Sequence, residues 1–470
     1  MSKQKPSLSS LLDYFRYLLK PERYLPKNIP VPLRLVSGLV LMIFVGTLLL
    51  LLPGMTTRPL SPMEALFTAT SAVTVTGLSV IPTSTSFTFL GQIILLLLIQ
   101  VGGVGFISLI VLAMHLLGRY VSLMDRLALT SAMGLDKPGQ ILQILRKAIL
   151  TMFVVEGAGT ILLYWHWRIQ GIAPPGKTGF YALFHAVSAF CNAGFDLFAG
   201  LPAYPDGLPN DNITLVILGL LVLLGGLGIP VFMEIFIIHQ RKRMSLNTWL
   251  TLTTAVGLIL LGWGGLFFSE HLMGHGVIRD EGVISSLVQT WFQSVSTRTA
   301  GFPGLHSFSL VGSDSRLLII GLMFIGSAPA SMGGGITTGT FAVLTLAVWN
   351  HIRGSNAVQV RNRTISQATV QRAAVVLLTS LAIVVIASWL ILLTNEFSFN
   401  KALFEVVSAL ATCGLSMGIT DKLNTFGQFI IIAMMFFGRA GVVTLLMALV
   451  QRERHSYQHL SFPEEDVLVG

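Results

Sequence analysis

Long apolar runs alternate along the chain with shorter segments of mixed polarity. The longest runs are residues 33–52, 91–117, 212–238 and 426–450. At 1.5 Å per residue, a helix over any of them crosses about 30 Å of hydrocarbon. Further apolar runs in the same chain bring the number of predicted spans to eight. This pattern predicts an all-α polytopic membrane protein with eight transmembrane helices.

The apolar runs form four pairs, and one short amphipathic segment lies inside each pair. A helix of about 12 residues is only about 18 Å long, so each short segment must enter the membrane and leave on the same side. We therefore predict four M1–P–M2 units, in which M1 and M2 cross the membrane and P is a re-entrant helix. The predicted P helices are residues 62–74, 179–191, 282–297 and 400–411. The units are residues 34–118 (D1), 140–240 (D2), 245–351 (D3) and 370–450 (D4), with segments 1–33 and 451–470 outside them.

Each P segment is followed by one glycine at a similar position. The four glycines, at successive spacings of 117, 107 and 113 residues, are Gly77, Gly194, Gly301 and Gly414. An aromatic residue lies ten positions before each glycine, at Phe67, Phe184, Trp291 and Phe404. A serine lies six positions before three of them, at Ser71, Ser188 and Ser408. Several features that recur at matching positions of the units indicate internal duplication and a pseudo-fourfold assembly around an ion pore.

The chain is expected to leave each P helix in a non-helical conformation near the glycine. Irregular backbone at membrane depth is tolerated only where it is buried in protein or lines a water-filled cavity. Four such exits around one axis would present carbonyls that replace the hydration shell of a monovalent cation, and glycine permits the positive φ that this requires. The alternative is that each glycine is the C-cap of a helix in a buried hairpin. That alternative would explain a single unit, but it explains less well why four units share the same pattern. The predicted selectivity filter is Val75, Thr76, Gly77, Asn192, Ala193, Gly194, Thr299, Ala300, Gly301, Thr412, Cys413 and Gly414.

The second helix of D3 contains a stretch that is unsuited to a helix. Residues 316–350 would form a helix about 52 Å long, which exceeds the thickness of the bilayer. Their middle, residues 327–339 with the sequence SAPASMGGGITTG, is small and polar. We interpret it as an intramembrane gate loop across the ion path, the alternative being a rigid kink that serves packing. The predicted gate residues in this loop are Ser331, Gly333, Gly334, Gly335, Thr337 and Thr338.

Three charged residues lie inside apolar runs, and Arg439 is the most prominent. A charge at mid-membrane costs about 2.5–3.5 kcal/mol on insertion scales and indicates a functional role. Facing the pore, Arg439 would oppose cations inside the filter and pair with the gate loop, so we add it to the predicted gate. Glu156 and Glu234 would pair with basic residues or face a subunit contact, and a transport role is a further alternative.

The net charge of +9 is unevenly distributed among the loops. Of the 30 Lys and Arg, 21 lie in the N-terminal segment, in the loops after even-numbered spans and in the C-terminal tail. This is the positive-inside pattern, so both termini are predicted to be cytoplasmic, and no nucleic-acid partner is needed to explain the charge. The two cysteines cannot form a disulfide framework. No nucleophile–base set, carboxylate pair or phosphate loop stands out, so we expect no enzyme.

The combination of these features resembles the Trk/Ktr/HKT potassium-transporter superfamily. The features are the four M1–P–M2 units, one filter glycine in each, the SAPASMGGGITTG loop and the arginine of FFGRAG. The resemblance covers about residues 34–450. Because no extra pair of N-terminal helices precedes them, the chain is most similar to the bacterial KtrB membrane subunits.

The resemblance implies a K+ channel-like uptake subunit in the bacterial inner (plasma) membrane. It implies K+ at the filter residues, with Na+ as an assisting ion, and a homodimer with one pore per subunit. It also implies a cytosolic ring of KtrA-like regulatory (RCK) subunits, which alone bind nucleotide and open the pore with ATP. A serine at the first filter glycine goes with Na+ transport in part of the plant branch, so glycine at all four positions favours K+.

Two alternative functions remain at the level of the sequence. A Na+-coupled or Na+-conducting carrier with alternating access would be built from inverted halves, whereas these four units share one orientation. A membrane-embedded enzyme or scaffold would require a catalytic group in the cavity, and the sequence offers none.

Overall fold

The computed structural model describes residues 31–105, 141–237 and 244–441, apart from short gaps at 203, 205–206, 274–276, 280, 306–307, 330 and 356. The predictions for most of the N-terminal segment and for the C-terminal tail lie outside the described residues. The same is true of residues 106–117 and 442–450, which were predicted to complete the second helices of D1 and D4.

Unit D1 contains the first predicted P helix, α2 (Pro62–Thr74). Its helices are α1 (Val31–Leu50), α2 (Pro62–Thr74), the single turn α3 (Thr83–Ser86) and α4 (Phe89–Val104). Ser61 caps α2: its hydroxyl accepts a hydrogen bond from Glu64 N at 3.2 Å, and the Glu64 carboxylate accepts one from Ser61 N at 2.8 Å. This capping box fixes the start of α2, because it satisfies backbone donors that the helix leaves unpaired.

In D2 the second helix is divided. The helices are α5 (Ile141–Gln170), α6 (Thr178–Phe190), α7 (Asn212–Gly226) and α8 (Ile229–Ile237). The prediction of one helix over residues 212–238 is therefore wrong. Gly228 has φ +80°, which ends the regular helix. The carbonyl of Gly226 accepts a hydrogen bond from Ala328 N at 3.2 Å, so the break gives the D3 loop a backbone partner.

Units D3 and D4 are joined by a β-hairpin that was not predicted. D3 contains α9 (Leu246–Phe267), a π-helical turn (Phe268–Leu272), α10 (Val283–Thr297), a 3-10 turn (Phe308–Leu310), α11 (Ser313–Phe324) and α12 (Thr338–Ile352). The hairpin strands β1 (Val358–Val360) and β2 (Arg363–Ile365) are antiparallel. D4 contains α13 (Gln367–Thr394), α14 (Phe399–Leu410), a 3-10 turn (Thr420–Lys422) and α15 (Thr425–Ala440).

The surface of the bundle is apolar along its long helices. Among the described residues, three helices are long and apolar enough to cross a membrane: Leu142–Gln170, Leu246–Leu272 and Gln367–Thr394. Shorter apolar helices are Val36–Leu50, Phe89–Val104, Asn212–Gly226 and Thr425–Ala440. Large side chains such as Trp165 (62% exposed) and Leu378 (66% exposed) point outward. In water such a surface would be unfavourable, whereas lipid accepts it.

The four units close into a ring through their P helices. Each of the P helices α2, α6, α10 and α14 packs against M1 and M2 of its own unit and against M2 of the preceding unit. For D1 the preceding unit is D4, because α15 packs against α2. Each P helix also buries one phenylalanine almost completely, at Phe67, Phe184, Phe292 and Phe404. The P helices therefore form the centre of the fold, and the longer helices surround them.

Candidate functional site

The four predicted filter glycines meet one another. A Cβ built on Gly77, Gly194, Gly301 or Gly414 would collide with the carbonyl oxygen that precedes the glycine of the next unit. The same Cβ would lie between 2.8 and 3.4 Å from the Cα of that next glycine. The glycine of D1 contacts that of D2, the glycine of D2 that of D3, and the glycine of D3 that of D4. Gly414 of D4 in turn lies against Thr76 O and Gly77 of D1, which closes the ring. The exits of the P helices thus surround one axis.

The backbone conformation at each exit requires glycine. The four glycines have φ between +69° and +96°, in the left-handed region that other residues rarely adopt. In D1, D2 and D4 the residue two positions earlier is also left-handed: Val75, Asn192 and Thr412 have φ of +59°, +58° and +48°. In D1, D2 and D4 the middle residue of the exit donates its N–H five residues back, as Thr76 does to Ser71 O at 2.8 Å, whereas in D3 Ala300 donates four residues back, to Ser296 O at 2.8 Å. These bonds end the helix and turn the following carbonyls away from it.

In each unit a serine side chain of the P helix makes a hydrogen bond to the backbone of the filter glycine or of the residue after it. Ser71 and Ser408 each accept a hydrogen bond from the filter glycine of their unit at 3.0 Å, and Ser188 donates one to Phe195 O at 2.9 Å. In D3 this role belongs to Ser296, which donates to Phe302 O at 2.7 Å although it lies only five positions before Gly301. A fixed spacing of six residues before the glycine does not identify Ser296, because in D3 that spacing falls on Val295.

Unit D3 leaves its P helix by a shorter route than the other three units. None of its described residues between Ser296 and Gly301 has a positive φ, and Gly301 N bonds Ser296 O directly at 3.2 Å. The helix register is therefore shifted by one residue relative to the glycine. For the same reason Phe292, which is fully buried, takes the place of Phe67, Phe184 and Phe404, whereas the predicted aromatic Trp291 is only partly buried.

Side chains of the predicted filter residues link neighbouring units. The amide of Asn192 and the hydroxyl of Thr299 lie 2.9 Å apart, which joins D2 to D3. The Sγ of Cys413 lies 3.0 Å from Thr297 O, which joins D4 to D3. Within D1, the hydroxyls of Thr74 and Thr76 are 2.7 Å apart. These side chains bond other protein groups, whereas the carbonyl oxygens of Thr76, Ala193, Ala300 and Cys413 each lie against the filter glycine of another unit.

Glycines in the second helices let these helices approach the ends of the P helices. A Cβ on Gly102, Gly225 or Gly438 would lie 2.9 Å from the carbonyl carbon of Val73, Phe190 or Leu410, respectively. Each of these carbonyls is four positions before a filter glycine. All three contacts are too close for any side chain, so the glycines fix the distance between M2 and the filter.

The predicted gate loop contacts two of the predicted filter residues, Thr299 and Thr412. The helix break runs from the end of α11 at Phe324 to the start of α12 at Thr338. A Cβ on Gly333 would lie 2.5 Å from the Thr299 side chain, and Gly334 N donates to the Thr412 hydroxyl at 2.8 Å. Gly335, with φ +78°, donates to Gly438 O at 3.3 Å. The loop therefore touches D3 and D4 at the level of the filter.

The ends of the loop are tied back to its own unit. Ser331 and Ser327 share a hydrogen bond between their hydroxyls, and Thr338 N donates to Ser327 O at 3.0 Å. Thr337 caps α12, because its hydroxyl accepts from Thr340 N at 3.4 Å. Five of the six predicted loop residues thus lie in the break between α11 and α12, and the sixth, Thr338, begins α12.

Arg439 connects the loop with two second helices. Its guanidinium donates to Met332 O in the loop, to Gly102 O, and to Gly103 O at 3.3 Å. It therefore bonds three carbonyls on two different elements while belonging to a third, α15. A planar fork of donors suits this arrangement better than an ammonium group would. A second arginine, Arg298, was not predicted as a site residue; it is 7% exposed and donates to Gly326 O at 2.8 Å.

The two acidic residues in apolar helices have structural partners. Gln100 Nε2 donates to both carboxylate oxygens of Glu156, at 3.0 and 3.2 Å, whereas we expected a basic partner or a subunit contact. Glu234 accepts hydrogen bonds from the N–H and the hydroxyl of Ser245, both at 2.6 Å. Ser245 is the N-cap of α9, so Glu234 connects the end of D2 with the start of D3.

Comparison with known proteins assigns the chain to a family. The family described as "TrkH: Cation transport protein" matches residues 35–459. The Ktr system potassium uptake protein B of Bacillus subtilis (strain 168) is 33% identical over 458 residues, which cover 96% of this chain and 98% of that protein. The protein of the same name from Vibrio alginolyticus is 34% identical, covering 92% and 94%.

Two further relatives widen the comparison. The potassium/sodium uptake protein NtpJ of Enterococcus hirae is 30% identical, covering 93% of this chain and 97% of that protein. The crystal structure of the potassium transporter TrkH from Vibrio parahaemolyticus has a TM-score of 0.73 at 19% sequence identity, covering 94% and 90%, and so shares the fold. By its sequence and its fold, this chain belongs to the TrkH family of cation transport proteins.

Proposed function

We propose that the chain is a channel-like K+ uptake subunit that passes K+ through the four-part filter. The observation that carries the proposal is the closed ring of four left-handed glycines, each in contact with the carbonyl before the next. Such a ring offers several carbonyl oxygens to a dehydrated cation, as a K+ filter requires. The filter comprises the twelve residues around Gly77, Gly194, Gly301 and Gly414.

The P helices add an electrostatic contribution to this ring. Each of them ends at the filter, so its last carbonyls and the negative end of its dipole face the ions. Four such ends favour a cation over an anion. The relatives that are 30% or more identical are named as potassium, or potassium/sodium, uptake proteins. This supports K+ as the ion, with Na+ as the ion to compare.

The loop between α11 and α12 is proposed as the gate, with Arg439 as the residue that holds it closed. Support comes from the hydrogen bonds of Gly334 and Arg439, which attach the loop to the filter residue Thr412 and to the second helix of D1. A loop held by a few polar contacts can change state at small free-energy cost. Opening would require these bonds to break together.

We further propose a homodimer in the bacterial inner membrane, with both termini cytoplasmic and a cytosolic ring of KtrA-like, nucleotide-binding subunits beneath it. The basic residues concentrated in alternate loops support the orientation. The names of the relatives support a multi-component system, because they describe one lettered protein of a Ktr system.

Uptake into liposomes tests the proposal. The purified protein is reconstituted with K+ inside, diluted into K+-free buffer, and the uptake of labelled Rb+ is recorded with and without valinomycin. A channel-like protein produces uptake driven by the K+ diffusion potential, with K+ and Rb+ passing faster than Na+ and Li+. Uptake that requires Na+ and saturates at a slow turnover would support an alternating-access carrier and contradict the proposal.

A further inference from the structure

The backbone beyond each filter glycine is attached to the P helix in three of the four units. In D2, His185 Nε2 lies 2.9 Å from Asp196 Oδ1. In D3, Gly304 N donates to Gln293 Oε1 at 2.8 Å. In D4, the Ser416 hydroxyl donates to Glu405 Oε2 at 3.1 Å. Each pair spans 11 residues, and its helix member lies three residues before the serine that holds the filter.

The D4 contact is the most extensive. Glu405 is fully buried in α14, and the hydroxyl of Thr420 donates to its other carboxylate oxygen. The hydroxyls of Ser416 and Thr420 lie 2.9 Å apart, and Ser416 also accepts a hydrogen bond from Gly418 N at 3.0 Å. One carboxylate therefore holds the segment from Ser416 to Thr420, which begins two residues after Gly414.

The D2 contact has the same position but different chemistry. His185 is fully buried, and its Nδ1 lies 2.7 Å from Tyr181 O in its own helix. Asp196 also accepts hydrogen bonds from Phe198 N at 2.7 Å and from Ala199 N at 3.1 Å. In D2 an imidazole and a carboxylate thus attach the segment after the glycine to the P helix, as a carboxylate and two hydroxyls do in D4.

Unit D1 provides an internal comparison. Thr68 occupies the same helix position, three residues before Ser71, and is also fully buried. Its hydroxyl donates to Glu64 O at 2.8 Å, within its own helix, and Ser79 bonds Ile81 O instead. In D1 the side chain at this position therefore bonds a carbonyl of its own helix. In the other three units it bonds the segment that follows the filter glycine.

We propose that His185, Gln293 and Glu405 are positioning residues that fix the outer end of the filter strands and thereby help to set ion selectivity. The inference rests on the proposed function of the filter. In each unit the N–H of the middle filter residue donates to the backbone carbonyl of the P-helix serine, as Cys413 N does to Ser408 O at 2.8 Å. In D2, D3 and D4 one of these side chains holds the segment that follows the filter glycine. Carbonyls between two fixed points keep their direction, and cation selectivity depends on the geometry and field of the carbonyls.

Selectivity measurements on D4 variants test the inference. Glu405→Ala removes the acceptor of both the Ser416 and the Thr420 hydroxyl and should lower the K+/Na+ uptake ratio by at least about fivefold, the factor that corresponds to one net hydrogen bond. Glu405→Gln keeps one acceptor oxygen and replaces the other with an N–H donor that a hydroxyl can accept, so it should restore a ratio close to that of the wild type. The matched control is Thr68→Val, which removes a hydroxyl at the equivalent buried position of D1 and should leave the ratio unchanged.

The partner side of the contact gives an independent test if Glu405→Ala does not fold. Ser416→Ala combined with Thr420→Val should lower the same ratio while total K+ uptake continues. An unchanged ratio in these variants, or an equal fall in Thr68→Val, would overturn the inference. Wild-type liposomes that take up no K+ would instead overturn the proposed function, so the two failures are distinguishable.

Discussion

One hydrogen bond between the loop and the filter allows a direct test of gating. Gly334 N donates to the Thr412 hydroxyl at 2.8 Å, and both groups lie where the loop meets the filter. Thr412→Val removes the acceptor and keeps the shape of the side chain. Valine is compatible with the left-handed backbone here, because Val75 occupies the equivalent position of D1 with φ +59°. Filter geometry should therefore survive the substitution.

The size of the effect follows from the donor that is left unpaired. Leaving a buried N–H without a partner costs about 1–3 kcal/mol, and Gly334 is half-buried, so about 1 kcal/mol applies here. If the bond exists only while the loop is closed, this cost shifts the closed-to-open ratio by about fivefold, since about 1.4 kcal/mol corresponds to a factor of ten. Basal uptake in the absence of a regulatory partner should rise correspondingly until the open state dominates.

Rb+ uptake into liposomes measures this rise. Thr412→Ser retains a hydroxyl and should behave more like the wild type than Thr412→Val does. The K+/Na+ ratio of Thr412→Val should stay that of the wild type, because the backbone carbonyls keep their direction. Basal uptake that is no faster in Thr412→Val than in Thr412→Ser would refute a gating role for this bond.

Three further substitutions probe the filter, the arginine and the helix contacts. Gly77→Ser places a side chain at φ +92° against Ala193 O and should lower the K+/Na+ ratio in the liposome assay; an unchanged ratio would contradict the carbonyl ring. Arg439→Ala removes the bonds to Met332 O and Gly102 O and should raise basal uptake. Arg316→Ala, which removes a charge from another helix, is the control and should not raise it. Equal or lower uptake in Arg439→Ala would argue against the arginine as a gate residue. Gly438→Ala brings a methyl group against the Leu410 carbonyl and should destabilise the protein by about 1–3 kcal/mol in thermal unfolding, whereas Gly321→Ala, with open space around it, should not; equal melting temperatures would show that M2 can move away.

The starts of the P helices and the filter glycines could be predicted because their signals are local. In D1, Pro62 and Glu64 are ordinary signals of a helix start; Ser61 and Glu64 form the capping box, Pro62 occupies the first turn, and the helix begins there. Gly77 and its three counterparts recur because a left-handed residue is needed at the same place in each unit. Local chemistry fixes these features, so neighbouring residues are sufficient to find them.

The register of D3 could not be obtained in the same way. Counting back from Gly301 selects Val295 and Trp291, whereas the structure uses Ser296 and Phe292. The difference arises because the exit in D3 lacks a left-handed residue before the glycine, and backbone φ is not visible in hydropathy. Only packing in three dimensions shows which serine reaches the filter strand.

The break in the second helix of D2 was hidden by its apolar composition. It lies at Gly228, with φ +80°, and the described parts of α4 and α15 likewise end at a left-handed glycine, Gly105 with φ +84° and Gly441 with φ +80°. The break in D3 could be predicted because polar residues surround it. The β-hairpin was missed for another reason: Arg361 and Asn362 form a two-residue turn with positive φ, and its strands have only three residues each.

The most direct test of the four-part filter is to locate the ion. Crystals of the protein grown in Rb+ can be measured with anomalous scattering at the rubidium edge. We expect a peak on the axis, surrounded by the carbonyl oxygens of Thr76, Ala193, Ala300 and Cys413, and we expect Na+ to displace it poorly. A peak elsewhere, with the axis between the four glycines empty, would contradict the assignment of these backbone carbonyls as the ion filter.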